Sequence, residues 1–395
     1  MAPCRGLAGL VRVSNSTVTD NLGSGLVNVT DIGVVETLGN NTIRGNGLDT
    51  QGTITVSRRS SPMMPFLAAG LLLAVAAPEP VLAASGHVLW VTLGDSDELV
   101  EIDPFAFTIT RRIKTDPHPH GLAASPDGAK VYVASDKTGN FQVVDVLRGA
   151  VVEQIHVGED PNQMTLTKDG RLAFVPLRGE DRMAVVQLSP LALIKKIPTP
   201  RRPHDAYTSR DGGRIYLGTL AGKTISVFDP AAETLLYDIP ADDGVRPLEL
   251  TRDGRTIYAA LSNLIGFVVV DPVRRAVTRR VELGTLPEGV PQPYLDTYSH
   301  ALQLTPDERE LWVTDCINDL VRVVRLEDMK EVAQIRVGHF PHWFTMRPDG
   351  KVIFVSLWYS DAVAAIDVQS RKVLANVQFA RGSGPKRILV APKAR

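Results

Sequence analysis

Residues 119–158 read PHGLAASPDGAKVYVASDKTGNFQVVDVLRGAVVEQIHVG. His120 to Ser125 is a small, apolar run, and Pro126-Asp127-Gly128 puts Pro and Gly where a type I or II turn needs them. Lys130 to Ser135 is a second β-type run, Asp136 to Asn140 a hairpin turn, and Phe141 to Asp145 an alternating third run. Leu147-Arg148-Gly149 turns the chain into a fourth, Val151 to Val157. Four short strands in about 42 residues, with no helical period, predict one blade of a β-propeller.

The pattern recurs. The aromatic at Tyr132 belongs to the series Trp90, Tyr132, Phe174, Tyr216, Tyr258, Trp312 and Phe354, at steps of 42 residues except for one of 54 before Trp312. Asp145 belongs to the series Asp103, Asp145, Gln187, Asp229, Asp271, Arg325 and Asp367. The turns Asp127-Gly128, Asp169-Gly170, Asp211-Gly212, Asp253-Gly254, Asp307-Glu308 and Asp349-Gly350 keep the same step. Three markers sharing one period and one 12-residue slip define seven repeats. The first repeat starts at its second strand (Val88 to Thr92), and Lys386 to Val390 has the character of a missing innermost strand. The expected fold is therefore all-β: a seven-bladed β-propeller over residues 84–395 with four-stranded antiparallel blades. N- and C-terminal strands share one blade, which removes two free sheet edges.

Val133-Ala134-Ser135, Val363-Ala364-Ala365-Ile366-Asp367, Val337-Gly338-His339-Phe340-Pro341-His342 and the Pro-Asp-Gly turns together resemble the YVTN family of β-propeller repeats, from Val88 to about Lys393. Gln187 and Arg325 replace the repeat's Asp, Ser299 its Pro and Glu308 its Gly. The resemblance implies the seven-bladed fold and an extracytoplasmic location, and leaves function open because such folds host many roles. Propellers of similar repeat include lactone hydrolases and domains that hold a non-covalent haem d1 between channel-mouth histidines.

Residues 1–57 stand outside the repeat. Runs such as Gly25-Leu26-Val27-Asn28-Val29 resemble one or two coils of a parallel β-helix, too few to bury their own faces. In residues 58–83, Arg58-Arg59 precedes the apolar stretch Phe66 to Ala77 and the small-residue exit at Val81-Leu82-Ala83. That is a secretory signal peptide, too short for a membrane span. Its internal position implies translation from Met63 or Met64, or an upstream fragment joined on. Cleavage near Ala83 leaves a periplasmic or secreted chain, read as a monomer without a transmembrane segment. The net charge of −1, from 43 basic and 44 acidic residues, offers no footprint for nucleic acid. Two cysteines, Cys4 and Cys316, rule out a disulfide framework.

In a four-strand meander the connections alternate between the faces of the disk. The Asp-Gly turns take one face, and the second-to-third hairpins and innermost-strand starts take the other. The residue after the innermost strand's leading Pro then lies at the channel mouth: His120, Asn162, His204, Leu248, His300, His342 and Lys386. Four of the eight histidines fall on this one position. Clustered imidazoles suit a transition metal, a haem-type cofactor or an anionic ligand. His120, His204, His300 and His342 are thus candidate metal ligands. With Asp205, Glu249, Trp343, Tyr298, Arg178 and Trp358 they are also candidate contacts for a small molecule or protein; the cofactor's identity stays open. The 12-residue slip supplies a Pro-rich insertion, Thr285 to Tyr298, beside His300. No phosphate loop, G-x-S-x-G, H-E-x-x-H, EF-hand or C-x-x-C-H is present. The expectation is an extracytoplasmic binding protein that holds a small ligand or partner on this face; the alternative is a metal- or haem-type-cofactor-dependent enzyme, an oxidoreductase or lactone hydrolase, using the same face.

Overall fold

The computed structural model describes residues 86–286 and 297–394, together with short strands between Val11 and Val56. Those strands pair in parallel, for example Val11–Val13 with Val35–Thr37 and Val35–Thr37 with Ile54–Val56. The expected signal segment 58–83 and most of the Pro-rich insertion lie outside the described residues. No helix among the described residues is long and apolar enough to cross a membrane.

From His87 the chain forms seven four-stranded antiparallel sheets. The second follows the quoted stretch: Pro119–Ala124, Lys130–Ser135, Asn140–Asp145 and Ala150–His156. The first is composite: Pro385–Pro392 pairs antiparallel with His87–Leu93, so the two ends of the propeller share a blade as expected. Each blade buries its marker aromatic between neighbouring sheets; Trp90, Trp312, Phe174 and Phe354 are wholly enclosed.

The other two markers have local causes. Asp145 ends its strand and accepts the Arg148 N–H, and Asp229 accepts those of Ala231 and Ala232, each fixing the outer hairpin turn. Where the repeat has Gln187, the amide reaches the Ser189 and Pro190 carbonyls instead; Arg325 pairs with Asp328. In the Asp-Gly turn, Asp127 accepts from Ser125 Oγ (2.6 Å) and the Ala129 N–H (3.0 Å), while Gly128 takes a left-handed φ of 70° that favours glycine.

A second irregularity prepares the site. The pairing of the innermost strand slips between Pro119 and Gly121, Pro203 and Ala206, Val245 and Leu248, Pro341 and Phe344, and Pro385 and Ile388. A bulge re-aims the residue it contains. Here that residue is the one at the channel mouth.

Candidate functional site

The slip assigns the channel-mouth position without reference to proline. Pro203, Val245 and Pro341 occupy one register, opposite Thr219, Leu261 and Leu357. The residue that follows is therefore His204, Arg246 and His342. The blade-five member is Arg246, not Leu248: Pro247 stands two places after the register residue and displaces a reading that follows proline. The ring is thus His120, Asn162, His204, Arg246, His300, His342 and Lys386, all buried.

These side chains line a cavity of about 580 Å³ on the hairpin face, in which Arg178, Trp358, Asp136 and His118 join His120, His204, Arg246, His300, His342 and Lys386. His300 and His342 pack ring on ring at 3.9 Å, and His204 meets His300 edge-on at 5.6 Å. Trp343 backs this pair, 4.6 Å from His300. Arg246 donates from Nε to Ser262 Oγ at 2.9 Å. Arg178 grips Asp160 through two bonds of 2.7 and 2.9 Å. Lys386 Nζ lies 3.4 Å from Asp136 and 4.8 Å from the Trp358 ring centre.

Two of the four imidazoles are left open. Nδ1 of His300 and both ring nitrogens of His342 are enclosed yet make no hydrogen bond within the chain, whereas Nδ1 of His120 and of His204 face the Asp136 and Asp205 carboxylates at 3.4 and 3.0 Å. Leaving a buried polar group unpaired costs about 1–3 kcal/mol. Burial holds all four rings below the ordinary histidine range, His120 at about 3, so they are neutral near pH 7. Burial also brings Lys386 down to about 8 against the pull of Asp136. Asp136 stays ionised: burial pushes its carboxyl up, but hydrogen bonds from His118 and His120 and the charge of Lys386 outweigh it. The result is an open-mouthed cavity with fixed cations and neutral imidazoles, two of them unpartnered, a combination suited to a small anion or an oxygen-rich polar molecule.

The expected residues divide. The four histidines, Arg178 and Trp358 come together in the cavity. Asp205 and Trp343 sit behind it, wholly or almost wholly buried. Glu249 does not join them: with blade five registered on Arg246, it falls three residues further along the strand. There it borders a separate cavity of about 390 Å³ with Tyr207, Arg252 and Glu308, and burial raises its carboxyl to about 8. Tyr298 is buried and joins blades five and six through its backbone, to Ser262 and Cys316, rather than lining the cavity. His339 pairs with Asp319 at 2.8 Å, and Cys316 is a buried thiol pointing at the Pro341 carbonyl.

The expected metal site does not fit these residues. Among the described residues no three His, Cys, Asp or Glu side chains converge closely enough to hold an ion. The tilted packing of His300 on His342, with ring centres 3.9 Å apart, also leaves no room for a macrocycle between those two rings. Sequence reading missed Arg246, and the 42-residue step from His204 reaches it directly.

No curated protein sequence matches this chain. Among solved structures it is similar in fold to Kuenenia stuttgartiensis hydrazine synthase (TM-score 0.61, 19% identity, 71% of this chain and 92% of that one). It also resembles the Pseudomonas aeruginosa periplasmic gluconolactonase PpgL (TM-score 0.60, 21% identity, 77% and 99%). A third is the dihydro-heme d1 dehydrogenase NirN in complex with DHE (TM-score 0.59, 16% identity, 78% and 67%). At these identities the likeness concerns the fold. In sequence, residues 198–390 match the family model described as lactonase, 7-bladed β-propeller, so the chain is a seven-bladed propeller similar over that stretch to the lactonase family.

Proposed function

We propose that this protein acts outside the cytoplasm and that its hairpin-face cavity binds a small, oxygen-rich anion such as a sugar acid. One observation carries the reading: buried cations and neutral imidazoles, those of His300 and His342 with unpartnered nitrogens, line one cavity. Arg246 and Lys386 supply the charge that a carboxylate needs, and the imidazoles supply donors or acceptors for hydroxyl groups, since a neutral ring offers one of each. The apolar segment Phe66 to Ala77, acting as a secretory signal, and the periplasmic location of the gluconolactonase neighbour support the extracytoplasmic setting.

Calorimetric titration of the full chain with sodium gluconate tests this. One molecule bound per chain is expected, and no heat from gluconate or inorganic phosphate would sink the reading. A second reading, opening of a lactone of the same acid, is favoured by the match of residues 198–390 to the lactonase family. In that case a neutral imidazole serves as base and Arg246 or Lys386 faces the developing oxyanion.

A further inference from the structure

The four imidazoles of the cavity are not equivalent. His120 and His204 each present Nδ1 to a carboxylate, at 3.4 Å from Asp136 and 3.0 Å from Asp205. His300 and His342 instead pack against each other and Trp343. The two carboxylate-backed pairs also differ. Asp136 is shared, with one oxygen on His118 and the other near both His120 and Lys386. Asp205 is wholly buried, and neither of its oxygens makes a well-aligned hydrogen bond; its contact at ion-pair distance is with His204. A carboxylate enclosed in this way and committed to one imidazole has little other use in the fold.

We propose that His204 is the general base of this cavity and that Asp205 is the positioning residue behind it, an assignment that rests on the lactone-opening reading above. The Asp205 carboxylate, 3.0 Å from Nδ1, favours the tautomer with the proton on that nitrogen through its charge, which leaves Nε2 as the acceptor. Nε2 takes a proton from water as the water oxygen bonds to the lactone carbonyl carbon, and the carbonyl oxygen becomes the oxyanion. When the intermediate collapses, the ring C–O bond breaks and the departing alkoxide takes the proton back from Nε2. One water is added across one bond, with no change of oxidation state. The charged and titratable groups facing His204 are Asp205 on its own strand, Arg246 on blade five, Arg178 on blade three and His300 on blade six. Burial and the two arginines favour the neutral base, whereas Asp205 opposes them. Asp205 itself stays ionised because His204, then Arg387, outweigh its burial.

Two measurements on the full chain decide the matter. Nitrogen-detected NMR of labelled histidine is expected to show His204 as the Nδ1–H tautomer at pH 7, and Asp205→Asn to abolish that preference; an Nε2–H tautomer in the parent overturns the proposal. With glucono-δ-lactone as probe, Asp205→Asn is expected to lower kcat by about a hundredfold or more with KM nearly unchanged, and to move the acidic limb of the pH profile. Asp205→Glu is expected to restore part of the rate. Should the Asn variant fail to fold, His204→Gln gives the same loss. Turnover by the parent with an unaffected Asp205→Asn overturns this assignment alone. No turnover by the parent overturns the lactone-opening reading and the assignment with it, while gluconate binding is scored separately.

Discussion

The two faces of this propeller are built from the same repeat and treat their polar groups in opposite ways. On the Asp-Gly face each carboxylate is satisfied within its own turn. Ser125 donates to Asp127, Thr167 to Asp169, Ser209 to Asp211, Thr251 to Asp253 and Thr305 to Asp307, all at 2.6–2.7 Å. On the hairpin face, Nδ1 of His300 and both ring nitrogens of His342 are buried without a hydrogen-bond partner in the chain. Repetition explains the first face, because a turn that closes on itself can be copied six times. It does not explain the second, where ring residues change from blade to blade and their polar atoms stay open at a cost to stability. A cost that folding does not require is what the proposed binding role accounts for.

The contrast can be broken most forcefully by removing the ring's charge. Arg246→Ala combined with Lys386→Ala is expected to weaken gluconate binding by about a hundredfold or more, since each charge-assisted hydrogen bond is worth about 1.5–3 kcal/mol. Calorimetry reads this directly, and unchanged affinity would return both cations to a structural role. A smaller effect comes from His342→Phe, which fills the same space without unpaired nitrogens. Thermal unfolding is expected to show stability unchanged or raised by about 1 kcal/mol, with gluconate affinity falling by about tenfold. A clear loss of stability would mean that the fold does need this imidazole.

The pH dependence sharpens the contrast further. The cationic form of Lys386 attracts the anion, and burial brings its ammonium down to about 8. Affinity is therefore expected to be full below that pH and to fall severalfold as pH rises through about 8, the bound anion moving the midpoint upward. Lys386→Arg is expected to flatten the profile, and a flat profile in the parent would remove Lys386 from the site. The smallest effect belongs to the opposite face. Asp127→Ala is expected to cost about 0.5–1 kcal/mol in denaturant unfolding, through the lost Ser125 and Ala129 bonds, and to leave affinity untouched.

The sequence carried the architecture because its markers have local causes. Tyr132 and its counterparts fill the space between sheets, Asp145 caps a turn, and Gly128 adopts a backbone that favours glycine. The composite first blade was legible for the same reason: an innermost strand without a partner at one end of the repeat matched a blade lacking one at the other. The site was legible only in part. His120, His204, His300 and His342 share a register that the period preserves, so their convergence followed from counting. Arg246 was hidden because Pro247 imitated the leading proline, and Glu249 was misplaced by the same slip. Lys386 is legible both as a closing-strand residue and as a ring position, but its charge gains meaning only with its side chain beside Asp136 and Trp358. That no three ligating side chains converge among the described residues depends on side-chain packing that no spacing in the chain conveys.

The most direct measurement is a crystal structure of the full chain grown with gluconate. The account predicts density for the acid in the hairpin-face cavity, with its carboxylate at Arg246 or Lys386 and a hydroxyl within hydrogen-bond reach of His342. Density for the acid on the Asp-Gly face, or a hairpin cavity whose imidazoles are satisfied by the protein alone, would contradict it.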